Sequence, residues 1–92
     1  EIEPDSEVVW FKPEDKDYCY LVNIGQYKDK DKILFQRGDA IYVGKYNYQE
    51  KTMVLTDVMN AVSREVDDSP IILTNTKSIK IIGKVLFEFK IG

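Results

Sequence analysis

The chain is 92 residues long, enough for one domain with a single modest core and for no second one. Hydrophobic residues make up 43% and charged residues 32%, a balance that excludes intrinsic disorder and favours a folded globule. The formal charge of −3 and an isoelectric point of about 4.9 argue against a surface built mainly to grip a phosphate backbone.

Six Tyr, four Phe and one Trp stand among many Val and Ile, which suits pleated half-buried strands better than helices. Only Arg37 and Arg64 carry guanidinium groups, so bidentate clamping of phosphate or guanine is limited to two points. The lone Cys19 cannot form an internal disulfide and lies in an apolar run, so it reads as a buried structural thiol in a reducing, cytoplasmic setting. No stretch approaches the roughly 18 apolar residues of a membrane span, so no membrane partner is expected. The chain begins at Glu1 without Met, and a single β domain over 1–92, part of a longer chain, is the expectation.

In chain order, Glu7 to Lys12 is a short apolar run closed by Pro13 and the charged Glu14-Asp15-Lys16-Asp17, a strand followed by a turn. Tyr18 to Ile24 is a second run, ended by Gly25. The alternating charges of Lys28 to Lys32 lack an apolar anchor and predict a solvated loop. Ile33 to Gln36 is a third run, which reaches turn chemistry at Arg37-Gly38-Asp39. Ala40 to Tyr48 forms a fourth, in which Gly44 suggests a bulge or a close backbone approach. The polar turn Gln49-Glu50-Lys51 leads into Thr52 to Thr56, and the pair predicts a hairpin.

Between Asp57 and Asp68, the residues Val58, Met59, Ala61, Val62 and Val66 fall near helical spacing, so a short helix around 57–66 and a long loop are both compatible. Asp67-Asp68-Ser69-Pro70 breaks any such element. Ile71 to Thr74 is a short strand, Asn75-Thr76-Lys77 a turn, and Ser78 to Ile91 a long β stretch interrupted by Gly83. Strand alternation places Val85, Phe87, Phe89 and Ile91 on one face and Leu86, Glu88 and Lys90 on the other. The expected fold is therefore mainly β: a small antiparallel, partly closed, barrel-like sheet of about six or seven strands.

The absence of His excludes Ser-His-Asp and Cys-His catalysis within this chain, and with them the imidazole zinc sites. The five glycines are dispersed and form no phosphate cradle. The carboxylates at Glu14, Asp15 and Asp17, and at Glu65, Asp67 and Asp68, lack the spacing of a calcium hand and read as solvated turns. No cofactor and no metal are expected. A Ser-Lys dyad is the surviving hydrolytic option, with Ser6, Ser63, Ser69 and Ser78 as candidates. None has the small neighbours that let backbone amides form an oxyanion hole, so the chain is read as non-enzymatic.

Ser69-Pro70-Ile71-Ile72-Leu73, followed after a turn by Ile79-Lys80-Ile81-Ile82-Gly83-Lys84-Val85, resembles the ending of LexA-like and lambda-type phage repressor C-terminal domains. Val8 to Glu14 and Asp17 to Val22 look like two earlier strands of that family. The resemblance implies a β-rich domain that dimerises a DNA-binding repressor and in many members cleaves its own linker with a Ser-Lys dyad. Here the stretch similar to the family's nucleophile turn reads Glu1-Ile2-Glu3-Pro4, with Glu in place of Ser, and the family's Lys falls near Lys30 or Lys32 in a charged setting. The resemblance thus implies an assembly domain without self-cleavage.

A second resemblance is to the Sm-like RNA-binding fold, carried by Gly38, Gly44, Met53 to Val58 and Ile82-Gly83-Lys84-Val85. Its RNA-contacting Asp and Asn lack counterparts, and Ile82 replaces its second-motif Arg. The functional expectation is an oligomerisation and protein-contact domain of a phage-type or mobile-element transcriptional regulator, with an Sm-like RNA module and a Ser-Lys self-cleaving peptidase as alternatives. Val85, Phe87 and Phe89 are the expected self-association residues, unless they are core. The expected partners are further copies of the chain, as a dimer or higher oligomer, and another protein; DNA is expected only through a domain not included here.

Overall fold

A computed structural model describes residues 7–13, 17–73 and 78–91. Among the described residues eight strands run β1 (Glu7–Phe11), β2 (Tyr18–Ile24), β3 (Lys32–Arg37), β4 (Ala40–Gln49), β5 (Thr52–Asn60), β6 (Val66–Asp67), β7 (Ile71–Ile72) and β8 (Ile79–Lys90). They form one antiparallel sheet in the order β1-β2-β8-β3-β4-β5-β6, with β7 on the same flank of β5 as the short β6. Among the described residues β1 and β6 end the sheet without pairing to each other, so it is open and not the partly closed, barrel-like sheet expected. The strand beyond the seven runs read from the sequence is the two-residue β6, while β7 falls within the short strand expected from Ile71.

The last long strand is inserted between the β1-β2 hairpin and the β3-β4-β5 meander. Its placement requires a close backbone approach. A Cβ on Gly83 would lie 2.2 Å from the Asn23 carbonyl oxygen, so only glycine lets β8 pass between β2 and β3 at that level. β8 also carries an extra residue against each neighbour: Leu86 is extra where Phe87 pairs with Leu21 and Val85 with Val22, and Ile82 where Gly83 pairs with Leu34 and Ile81 with Phe35. Such bulges bend the strand and increase its twist.

Ile33, Leu34 and Phe35 of β3 are all fully buried, so both faces of the central strand are covered. Leu34 joins Tyr20, Val22, Val43, Ala61 and Val85 in one core, and Ile33 and Phe35 join Tyr46, Leu55, Val58 and Ile71 in a second. Phe35 stacks on Tyr42, its cross-strand partner, with ring centroids 5.6 Å apart.

There is no helix at 57–66, and that expectation is corrected: β5 continues to Asn60, a turn covers 61–63, and β6 follows. The spacing that mimics a helix has a sheet origin. Asp57 sits at φ 51 in a bulge opposite Gly44, which brings Leu55 and Val58 onto the same face three residues apart. Met59 and Ala61 then turn to the other core, so apolar residues recur as they do on a helix. Gly44 does mark a tight approach, since a Cβ there would meet Phe35, Thr56 and Val58 at 3.2–3.3 Å.

Both hairpins of the meander have two-residue loops. Gly38, at φ 61, takes the first central position of the β3-β4 loop, where a type II′ turn requires it. The β4-β5 loop holds Glu50 at φ 50 and Lys51 at φ 66, a left-handed pair without glycine. Replacing Glu50-Lys51 by Asn-Gly is expected to stabilise the domain by about 1 kcal/mol, because side-chain-bearing residues are strained there. Gly83→Ala is expected to destabilise it by roughly 1–3 kcal/mol or more. Urea unfolding midpoints of the two variants against the natural sequence check both.

Candidate functional site

The bulge at Leu86 decides which residues of β8 reach the surface. Unbroken alternation would put Val85 with Phe87 and Phe89; instead Val85 turns into the first core at 9% exposure, whereas Phe87 is 63% and Phe89 46% exposed. The face expected for self-association therefore divides, with Val85 as core and the two phenylalanines as surface. A bulge leaves no signature in a run of Val, Leu and Phe, which is why alternation alone misassigned Val85.

Sequence reasoning missed the residue that completes the surface group. Trp10 pairs with Leu21 on β2, and Leu21 pairs with Phe87 on β8, so the three form one row across three strands. Two positions along, in the next row on the same face, Cys19 pairs with Phe89, and the Trp10 ring meets Phe89 edge-on with centroids 5.1 Å apart. Trp10 is 57% and Ile91 55% exposed. The Ile91 amide donates to the Asp17 carbonyl, which holds the end of the strand against the turn before β2. Cys19 is a free, buried thiol beside this group. Trp10 lay in a recognised strand, but nothing local to it indicates that β8 lies two strands away.

The opposite, core-facing side of β2 and β8 carries a polar cluster. Glu88 accepts from Lys32 at 2.7 Å and pairs with Arg64 at 2.5 Å, its side chain 17% exposed. Arg64, at φ 67 in the turn after β5, also donates to the Tyr20 hydroxyl at 2.7 Å and lies 3.9 Å above the Tyr18 ring centre. Tyr20 lies 3.5 Å from the Ala61 carbonyl, to which its hydroxyl donates. The cluster ties β2, β3, β8 and the β5-β6 turn together over the first core.

Burial raises the Tyr20 phenol above its ordinary range, the Glu88 charge adds to this, and Arg64 opposes both. Burial alone would raise the Glu88 carboxyl, but hydrogen bonds from Lys32 and Arg64 outweigh it and hold the group below the usual carboxylate range.

The residues named for a Ser-Lys dyad are dispersed. The Ser63 hydroxyl accepts from the Glu65 amide, Lys30 donates to Asn47, and Lys32 is held by Glu88. Ser6, Glu1 to Pro4, Glu14 and Asp15 lie outside the described residues. Among the described residues no three acidic or thiol side chains converge as a metal site would need, and no helix is long and apolar enough to cross a membrane. The two segments carrying the LexA-like resemblance form β7, on β5, and β8, between β2 and β3; of the Sm-like residues, Gly38 lies in the β3-β4 loop, Gly44 on β4, Met53 to Val58 on β5 and Ile82 to Val85 on β8.

A folded carboxyl with a lowered pKa adds stability above the ordinary Glu value of roughly 4.3 and loses that contribution as pH falls through the folded value. The natural chain should therefore lose stability as pH drops below about 4.3, and Glu88→Gln should flatten that part of the curve. Arg64→Ala should cost roughly 1–3 kcal/mol at neutral pH, since it leaves Tyr20 and Glu88 with fewer partners. Thermal unfolding between acid and neutral pH measures both effects.

The chain matches no protein family, no curated protein and no solved structure.

Proposed function

We propose that this chain is a non-catalytic contact module that self-associates through the outer face of β1, β2 and β8. The observation that carries the reading is the exposure of Phe87 and Phe89 beside Trp10 on three hydrogen-bonded strands. Aromatic side chains present roughly 150–250 Å² each, so these half-exposed groups leave on the order of 400 Å² of apolar surface. A patch of that size matches the largest apolar patch of a typical monomer, roughly 300–600 Å², which often serves a contact.

A second copy is the occupant that suits such a face. Covering the patch with its own twin removes roughly 800 Å² of apolar surface from water, and a polar rim brings the total toward the roughly 1,200 Å² of the smaller specific interfaces. Two-fold contacts of this kind place the same residues on both sides and need no counter-charge.

The assignment to a phage-type or mobile-element transcriptional regulator rests on the spacing of Pro70-Ile71 and Ile82-Gly83-Lys84-Val85. It is tested by the sequence upstream of Glu1 in the intact protein: a helix-turn-helix there supports it, and an upstream region without a DNA-binding segment refutes it.

Sedimentation velocity tests self-association. The natural chain is expected to sediment as a dimer or larger at tens of micromolar, and Phe87→Glu and Phe89→Glu as folded monomers with unchanged far-ultraviolet circular dichroism. A monomeric natural chain across that range, or variants that keep its assembly state, would overturn the reading.

A further inference from the structure

The geometry points to a second site, an anion-binding groove that takes a small phosphate- or carboxylate-headed ligand with an apolar body. The groove, about 540 Å³, opens beside the first core and is lined by Lys30, Lys32 and Lys45 together with the apolar Val43 and Met59. That volume lies within the range of small-ligand sites.

Two features set these lysines apart from ordinary surface charge. Lys32 and Lys45 are direct cross-strand partners on β3 and β4, an arrangement in which like charges repel. Lys30 adds a third ammonium from a backbone at φ 77, a conformation that disfavours any residue with a Cβ. It is fixed there by hydrogen bonds: the Lys30 amide donates to the Tyr46 carbonyl at 2.7 Å, the Tyr46 amide to the Asp31 carbonyl at 2.8 Å, and the Tyr48 amide to the Asp29 carboxylate at 2.8 Å. The charged Lys28 to Lys32 segment, expected as a solvated loop, is thus pinned along β4.

Each ammonium has three donors. Glu88 engages the Lys32 ammonium and Asn47 that of Lys30, while the Lys45 ammonium makes no hydrogen bond or ion pair among the described residues, only the Lys45 carbonyl accepting from the Asn47 side chain. An anion between Lys45 and its neighbours would relieve the repulsion and use the remaining donors.

Asp57 and Asp68 also line the groove. They offset part of the lysine charge, which suits the groove to a single anionic head better than to a polyanionic backbone, and the apolar lining of Val43 and Met59 accommodates a short aliphatic segment.

Calorimetric titration of the intact chain with hexanoate, and separately with inorganic phosphate, at low ionic strength tests this. Saturable binding of either probe is expected, weakened at least tenfold in Lys45→Gln and unchanged in Lys80→Gln, which removes the same charge from an exposed position elsewhere on β8. The tighter probe identifies the head group. Without probe, Lys45→Gln should keep or raise the thermal midpoint, because a repulsive partner of Lys32 is gone. Three results would overturn the site: no saturable binding of either probe, equal weakening in both variants, or a lowered probe-free midpoint in Lys45→Gln.

Discussion

The architecture depends on one steric permission, the absence of a side chain at Gly83. At that level β8 lies so close to β2 that a single carbon would collide with the Asn23 carbonyl. If β8 could not approach, the β1-β2 hairpin would lose its attachment to the meander, and Val85 would leave the first core. Bulges at Ile82 and Leu86, one against each neighbour, bend β8 on either side of this approach.

That insertion gives β8 two unlike surfaces. Inward, it supplies Val85 to the core and Glu88 to the cluster with Lys32 and Arg64. Outward, it supplies Phe87 and Phe89, which meet Trp10 only because β2 holds β1 and β8 in register on its two sides. A partly exposed ion pair stabilises a fold only modestly. Glu88 differs in being shared between two cations over an apolar core, so its value lies in fixing where the β5-β6 turn sits against the platform.

Much of the sheet was legible from the chain. Strand positions followed from apolar runs and turn residues, and Gly44 announced a close approach that the structure contains, whereas Gly83 read only as an interruption of the last strand. The order of strands was not legible, because pairing between β8 and β2 is non-local and antiparallel strands of similar composition are interchangeable on paper. The helix expected around 57–66 failed for a related reason: a bulge at Asp57 and burial on both faces produce the same period as a helix. Half of the candidate site was visible as Phe87 and Phe89. Trp10 was hidden by distance along the chain and Val85 misplaced by one extra residue.

The position of β8 also has a consequence for how the polypeptide acquires its shape. Its pairings with β2 join residues some sixty positions apart, so loop-closure entropy must be overcome before they contribute. On the ribosome, the first hairpin and the meander would emerge as separate pieces with bare strand edges, kept apart until residues 79–90 arrive between them. Nascent chains arrested before that point would present those unshielded edges to one another and to chaperones, which makes the interval before the closing strand the most aggregation-prone stage in the life of the molecule.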